Sequence, residues 1–147
     1  MDTKKYLGQI RLLDNRIRNK MSEIDMLRDL ATSCTVATDK ERVQSSGNDD
    51  KISSVVAKII DIESETNDIV TNMISVRQHI ISQLESMDNQ LYYDFLHRKY
   101  VQMMTYEQIA YDMNISLRQT YRVHNSALME FEQQFGGEYL DVALIVR

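Results

Sequence analysis

The side chains best suited to specific binding chemistry lie close together, at Arg118, Gln119 and Arg122. A guanidinium can donate two hydrogen bonds to O6 and N7 of guanine, and a glutamine amide can pair similarly with adenine. At 3.6 residues per turn, Arg118, Arg122 and Asn125 point to one side of a helix. No acidic residue occurs between positions 116 and 126. The pattern indicates contact with DNA, although a polar surface helix can carry the same residue types.

Two capping boxes mark the helix starts that would hold this face. Thr105 is followed by Gln108, and Ser116 is followed by Gln119. In such a pair the hydroxyl accepts a hydrogen bond from the backbone amide of the glutamine. The glutamine side chain in turn accepts one from the backbone amide of the Thr or Ser. Asn114 lies between the two boxes, and Asn is among the few residues that tolerate a left-handed backbone. The spacing predicts a helix-turn-helix.

The other face of the second helix is expected to pack inward. With Thr120 taken as the inward direction, Val123, Ala127 and Phe131 lie within about 60° of it. The Thr120 hydroxyl would then need a hydrogen-bond partner in the core. His124 falls on this side, so we expect it to be packed and hydrogen-bonded rather than to contact bases.

Residues 84–131 resemble region 4 of bacterial sigma-70 factors. The resemblance is carried by a leucine-rich helix, RKY at 98–100, TYEQIA at 105–110, NIS at 114–116 and an AL pair at 127–128. Over residues 4–133 the layout is similar to that of small phage proteins of the ArpU and RinA type, which regulate late genes. The resemblance therefore implies sequence-specific binding to double-stranded DNA and contact with host RNA polymerase.

The candidate DNA-binding residues come from this resemblance and from the outward face of the second helix. They are Thr105, Tyr106, Ser116, Leu117, Arg118, Gln119, Tyr121, Arg122 and Asn125. Two positions depart from the pattern: Thr120 replaces the usual Val or Ile, and Leu117 stands where many sigma factors have a polar residue.

Two long apolar repeats precede this motif. In the first, Ile10, Ile17 and Ile24 are seven residues apart, which predicts a helix over about residues 3–31. The second recurs through Ile52, Val55, Ile59, Ile62, Thr66, Ile69, Met73, Val76 and Ile80. These repeats favour an antiparallel helical hairpin or an intermolecular coiled coil. Their role is either plain scaffolding or dimerisation. For oligomerisation, with a dimer favoured, the candidate contacts are Ile10, Ile17, Ile24, Ile59, Ile69 and Val76.

The patterns divide the chain into three regions. Residues 1–87 are expected to form the hairpin or coiled coil, with a loop at 32–50; residues 88–135 would form the DNA-binding domain. Residues 136–147 form a tail in which Leu140, Val142, Leu144 and Val146 alternate as in a β-strand. Because the sequence has no proline and only four glycines, we predict an all-α fold with a short possible strand at the end.

The distribution of charge is compatible with a DNA-binding face. The net charge is −5, but residues 39–94 hold eleven Asp/Glu against five Lys/Arg. The acidity therefore lies mostly in the middle of the chain. The N-terminus lacks the apolar core of a signal peptide, and no apolar run is long enough for a membrane span. We expect a cytoplasmic protein of a bacterial host cell.

The sequence offers little for catalysis or metal binding. Cys34 is the only cysteine, and His79 and His97 lack ligand partners at useful spacing. No phosphate-binding loop or nucleophile–base motif is present. We therefore expect no enzymatic activity, no cofactor and no metal.

Three functions fit these observations. The leading hypothesis is a phage-type transcriptional regulator that binds DNA as an oligomer and contacts host RNA polymerase. The alternatives are a DNA-packaging protein resembling a small terminase subunit, and an adaptor that binds RNA polymerase without binding DNA.

Overall fold

A computed structural model of the chain describes residues 1–40 and 46–140, without the side chains of residues 35, 37–40 and 46–49. Its helices are α1 (Thr3–Lys40), α2 (Ser46–Glu85), α3 (Gln90–Leu96), α4 (Tyr106–Asp112) and α5 (Leu117–Phe135). A π-helical turn (His97–Val101) follows α3, and a 3-10 turn (Gly136–Glu138) follows α5. The described part of the chain contains no strand, so the predicted all-α fold is confirmed. None of the described helices is both long and apolar enough to cross a membrane.

The two long helices are longer than their apolar repeats predict. The expected loop at residues 32–50 is wrong in its bounds, because α1 continues to Lys40 and α2 begins at Ser46. Two small polar residues of this stretch satisfy their hydroxyls within the helix: Thr32 donates to the Arg28 carbonyl and Ser33 to the Asp29 carbonyl, both at 2.9 Å. With no proline or glycine from residue 31 to 46, nothing in the covalent chain forces an end near residue 31.

The described residues of the tail, 136–140, contain a 3-10 turn and no strand. Glu138 belongs to the 3-10 turn, and Tyr139 and Leu140 are in neither helix nor strand. The remainder of the predicted strand, residues 141–147, lies outside the described residues.

The chain separates into two compact units that cut across the expected boundary at residue 87. The composite unit joins Met1–Asn15 to the chain from Met73 onward, and the central unit is Arg16–Asn72. The first turns of α1 therefore belong with α3, α4 and α5. The reason is apolar burial, since Tyr6, Leu7 and Ile10 are 0% exposed.

The composite unit has one core drawn from all of its helices. Tyr6 donates a hydrogen bond to Gln83 Oε1 at 2.7 Å, and its ring stacks on Tyr139 with centroids 4.2 Å apart. Asp14 and Arg77 form an ion pair farther along, so α1 and α2 run antiparallel within this unit. The fully buried side chains include Leu7, Ile10, Leu13, Met73, Ile80, Leu84, Phe95, Leu96, Ile109 and Phe131.

In the central unit α1 and α2 bury a seam that differs by one position from the predicted one. Ile59 and Thr66 are buried as expected. The complementary positions are Glu63 and Val70 rather than Ile62 and Ile69, which stay 48% and 40% exposed. Arg28 Nε lies 2.8 Å from Glu63 Oε1. An ion pair therefore occupies the seam position that the apolar repeat assigns to Ile62.

We predict that truncating Ile10 destabilises the composite unit as a whole. Replacing a fully buried isoleucine with alanine leaves a cavity that typically costs about 2–5 kcal/mol. Ile10→Ala should therefore lower the free energy of unfolding in urea and reduce the hydrogen-exchange protection of α5 amides. Leu12→Ala is the matched control, because Leu12 is 44% exposed on the same helix and should change stability by only about 0.5 kcal/mol. Unchanged protection of α5 in Ile10→Ala would contradict the assignment of α1 to this core.

Candidate nucleic-acid interface

Both capping boxes form as predicted. Thr105 Oγ1 accepts from the Gln108 amide at 3.2 Å, and Gln108 Oε1 accepts from the Thr105 amide at 2.9 Å. At α5 the equivalent Ser116–Gln119 distances are 3.1 and 3.2 Å. Gln119 Oε1 is therefore occupied by the cap. Bidentate pairing with adenine needs that oxygen as an acceptor, so only Nε2 of Gln119 can donate while the cap is intact.

The turn between α4 and α5 is closed by a left-handed residue, also as predicted. Asn114 has φ 53°, and its amide donates to the Tyr111 carbonyl at 3.2 Å. The next amide, of Ile115, donates to the Ala110 carbonyl at 3.0 Å. The turn thus keeps its backbone bonds while changing direction between the two helices.

A second left-handed residue, which the sequence did not indicate, precedes α4. Met103 has φ 58° directly after the π-helical turn, where Met104 donates to the Arg98 carbonyl at 2.9 Å. An unbranched residue pays a steric cost in this conformation. Met103 adopts it at the point where the chain leaves the π-helical turn and continues to the N-cap residue Thr105.

The outward face of α5 is exposed over its first three turns. Arg118, Arg122 and Asn125 are exposed, and Leu117 and Tyr121 are 42% and 46% exposed. Neither arginine forms an ion pair with any residue that the structure describes. Arg98 differs from them, because its Nε lies 2.6 Å from Asp112 Oδ2. The two helix arginines are therefore available to an external anion.

The inward face of α5 is buried around two polar side chains. Thr120 is 0% exposed, and its hydroxyl donates to the Ser116 carbonyl at 2.9 Å, which supplies the partner that its position requires. His124 is 3% exposed. Its Nε2 lies 2.9 Å from the Tyr100 hydroxyl and its Nδ1 lies 3.0 Å from the Tyr106 hydroxyl. The prediction of a packed, hydrogen-bonded histidine is confirmed.

The surroundings of His124 favour its neutral form. Burial lowers its pKa from 6.5 to about 4, and the nearby positive charges of Lys4 and Lys99 act in the same direction. Burial also raises the pKa of the Tyr100 and Tyr106 hydroxyls. All three groups are therefore uncharged near neutral pH, and each imidazole nitrogen faces one phenol.

Tyr106 connects this buried cluster to the surface of α5. Its ring centroid lies 4.7 Å from that of Tyr121, and Lys99 Nζ lies 4.0 Å from the same Tyr106 ring centroid. A cation over a tyrosine face is attracted by the ring quadrupole. Lys99, Tyr106 and Tyr121 therefore form a continuous surface that ends at the exposed arginines. Sequence reasoning missed Lys99, although it stands inside the RKY motif.

The candidate oligomerisation residues are distributed differently from the candidate DNA-binding residues. Ile10, Ile24, Ile59 and Val76 are buried within the chain, and Ile17 is half-buried. Ile69 is 40% exposed, so it is the member of the set with a substantial surface for another molecule.

We predict that the His124 imidazole titrates with a pKa of about 4, measured by NMR from its ring proton shifts. Because the pKa in the unfolded chain is near 6.5, the unfolded state takes up this proton first as the pH falls. The free energy of unfolding should therefore decrease between about pH 6.5 and about pH 4. His124→Gln cannot titrate and should lack this part of the decrease. A midpoint near 6.5 in the folded protein would contradict the burial described above.

Comparison with known proteins identifies one family. The sequence model of the family described as "Protein of unknown function (DUF1492)" matches residues 30–132. No curated protein and no solved structure matches the chain. The match includes only residues 30–40 of α1, then all of α2, α3 and α4, and α5 as far as residue 132. Since it extends over more than half of the chain, this protein belongs to the DUF1492 family.

Proposed function

We propose that the protein is a sequence-specific DNA-binding transcriptional regulator of phage type, and that α5 is its recognition helix. The observation that carries the proposal is the exposed, acid-free face of α5, where Arg118 and Arg122 have no ion-pair partner among the described residues. Exposed guanidinium groups near the start of a helix that follows a tight turn suit the major groove. The resemblance of residues 84–131 to sigma-70 region 4 supports the same role.

Tyr106 positions Tyr121 in this proposal, and the other predicted residues have distinct parts. Arg118 and Arg122 contact guanine edges or phosphates, and Asn125 extends their row by one turn. Thr105 and Ser116 cap the two helices, so they fix where α4 and α5 begin beside the DNA. Gln119 holds the start of α5 and donates through Nε2 alone, while Leu117 and Tyr121 supply apolar contact with bases or sugars.

Oligomerisation is part of the proposal because one α5 helix offers only a few cationic contacts to DNA. Affinity for duplex DNA rises with each phosphate that a cation neutralises, and few contacts give weak, salt-sensitive binding. Two protomers that bind adjacent half-sites together gain effective concentration for the second contact. We propose a homodimer for this reason.

The surface proposed for dimerisation is the exposed row of α2 formed by Val55, Ile62 and Ile69, hereafter the α2 row. Its members are 46%, 48% and 40% exposed and stand seven residues apart. Two copies that meet antiparallel at Ile62 place Val55 against Ile69 of the second copy. The exposed Lys58 then lies beside Glu65 of the second copy, whereas parallel copies would place Glu65 beside Glu65. Opposite charges favour the antiparallel second copy as the occupant of this surface.

Contact with host RNA polymerase is part of the proposal on the strength of the sigma-70 resemblance. The outward side of α4 offers a surface separate from α5, and its Tyr111 is 89% exposed. An exposed aromatic of this size suits a protein interface. Capture of polymerase without retention of duplex DNA would favour the adaptor function. A ring-sized mass in light scattering would favour a packaging protein instead.

We predict that Arg118→Ala/Arg122→Ala weakens binding to duplex DNA. The double variant removes two cationic contacts, each of which contributes about 0.9 to the salt slope of log K. Gel-shift titrations should show weaker binding and a salt slope smaller by about 1.8 per protomer. Both side chains are exposed, so circular dichroism should show an unchanged fold.

The matched control for this experiment is Arg16→Ala/Arg18→Ala. Both residues are exposed on α1 in the central unit, and the control removes the same charge from the chain. We expect it to bind DNA as the wild type does. Equal affinity of the wild type and the α5 double variant would refute α5 as the recognition helix.

We predict that Ile62→Glu converts the protein to a monomer, measured by multi-angle light scattering. In an antiparallel dimer Ile62 meets its own copy, so the substitution places two carboxylates at the symmetry axis. Ile60→Glu is the matched control, because Ile60 is 56% exposed and lies about 160° away around α2. It should leave the mass unchanged. A dimer that tolerates Ile62→Glu would exclude the α2 row as the interface.

A further inference from the structure

The first turns of α1 present a row of cations beside the proposed DNA-binding surface. Lys4 and Arg11 stand seven residues apart, on one side of α1, and both are exposed. The opposite side of these turns is anchored in the composite core by Tyr6, Leu7 and Ile10. The position of the two cations is therefore determined by the same packing that positions α5.

This row lies on the part of α1 that packs against α5, where the ring centroids of Tyr6 and Phe131 are 6.2 Å apart, and its charges act on Lys99. Burial lowers the pKa of Lys99, and the charges of Lys4 and Arg11 lower it further, while Glu107 opposes them. Lys4 also acts on His124 of α5. The fold thus brings together three cations from α1 and the π-helical turn. None of the three has an ion-pair partner within the described part of the chain.

Gly8 stands between Lys4 and Arg11 on the same side of the helix. A Cβ added at Gly8 would meet no atom within 4 Å, so packing within the chain does not require the glycine. Glycine is disfavoured inside a helix. Without a side chain at Gly8, the space between the two cations on this side of the helix stays open.

We propose that Lys4, Arg11 and Lys99 form a phosphate-contact strip that binds the sugar–phosphate backbone of the same duplex whose groove receives α5. This proposal rests on the DNA-binding function proposed above and assigns to α1 a part in it. Continuity carries the inference: Lys99 lies over Tyr106, Tyr106 contacts Tyr121, and Tyr121 is on the helix of Arg118 and Arg122. A polyanion that contacts α5 and extends past Tyr106 reaches the strip next.

The ligand class follows from the chemistry of the strip. Flexible lysine and arginine side chains around an open backbone suit phosphate oxygens, which carry no base identity. The strip should therefore raise affinity for all duplex sequences alike, and the choice of sequence stays with α5. It also increases the number of phosphates contacted by each protomer, which a single helix with two arginines leaves small.

The test measures binding to a mixed-sequence duplex by fluorescence anisotropy across a NaCl series. Lys4→Gln/Arg11→Gln should weaken binding and reduce the salt slope by about 1.8 per protomer, because two phosphate contacts are lost. Each single variant should reduce it by about 0.9. Arg16→Gln/Arg18→Gln removes the same charge from the central part of α1 and should leave the slope unchanged. Thermal unfolding followed by circular dichroism verifies that all variants fold.

The outcomes separate the strip from the function on which it rests. If Lys4→Gln/Arg11→Gln keeps the wild-type slope while Arg118→Ala/Arg122→Ala loses affinity, the strip is refuted and the regulator stands. If both charge-removing pairs on α1 reduce the slope equally, the effect is one of net charge and the strip is also refuted. A wild-type protein that binds no duplex at low salt refutes both proposals.

Discussion

The burial of one neutral histidine constrains the geometry of the whole C-terminal part of the chain. His124 is almost fully enclosed, so both of its ring nitrogens need partners, and an unpaired one would carry a desolvation cost. The partners are phenols from two other elements: Tyr100 in the π-helical turn and Tyr106 at the start of α4. These two hydrogen bonds set α5 against both elements at once. A shift of α5 by one residue would break both.

The position of Tyr106 transmits this constraint to the surface. Its hydroxyl is held by His124, and its ring contacts both Lys99 and Tyr121. The exposed end of the cluster is therefore tied to its buried core. Preorganised groups lose less conformational entropy on binding than mobile ones. An aromatic surface beside two arginines that have no ion-pair partner among the described residues would suit the sequence discrimination proposed for α5.

Sequence reasoning was most successful where the physics is local. The capping boxes at Thr105 and Ser116 and the left-handed Asn114 depend on residues within a few positions of each other, and all are confirmed. The inward position of His124 followed from helical periodicity, but its two phenol partners could not be predicted, because pairing depends on tertiary packing. The α2 seam shows the limit of periodicity: the half-buried Glu63 pairs with Arg28, whereas hydrophobicity alone favours Ile62 at the seam. The inclusion of residues 1–15 in the composite unit had no sequence signal at all.

The cations and the acids of the chain are distributed differently between the two units. The central unit carries the acidic α2 segment, whereas the composite unit collects Lys4, Arg11, Lys99, Arg118 and Arg122 without ion-pair partners in the described residues. The net charge of the chain is a poor guide to what it binds, since potentials act locally over about a Debye length of 8 Å at physiological salt. An acidic protein can therefore hold a locally cationic face, here with Glu107 as an acid whose charge acts on Lys99. Here α1 contributes to both units, so one helix supplies cations to the proposed DNA surface and also pairs with the acidic α2 in the central unit.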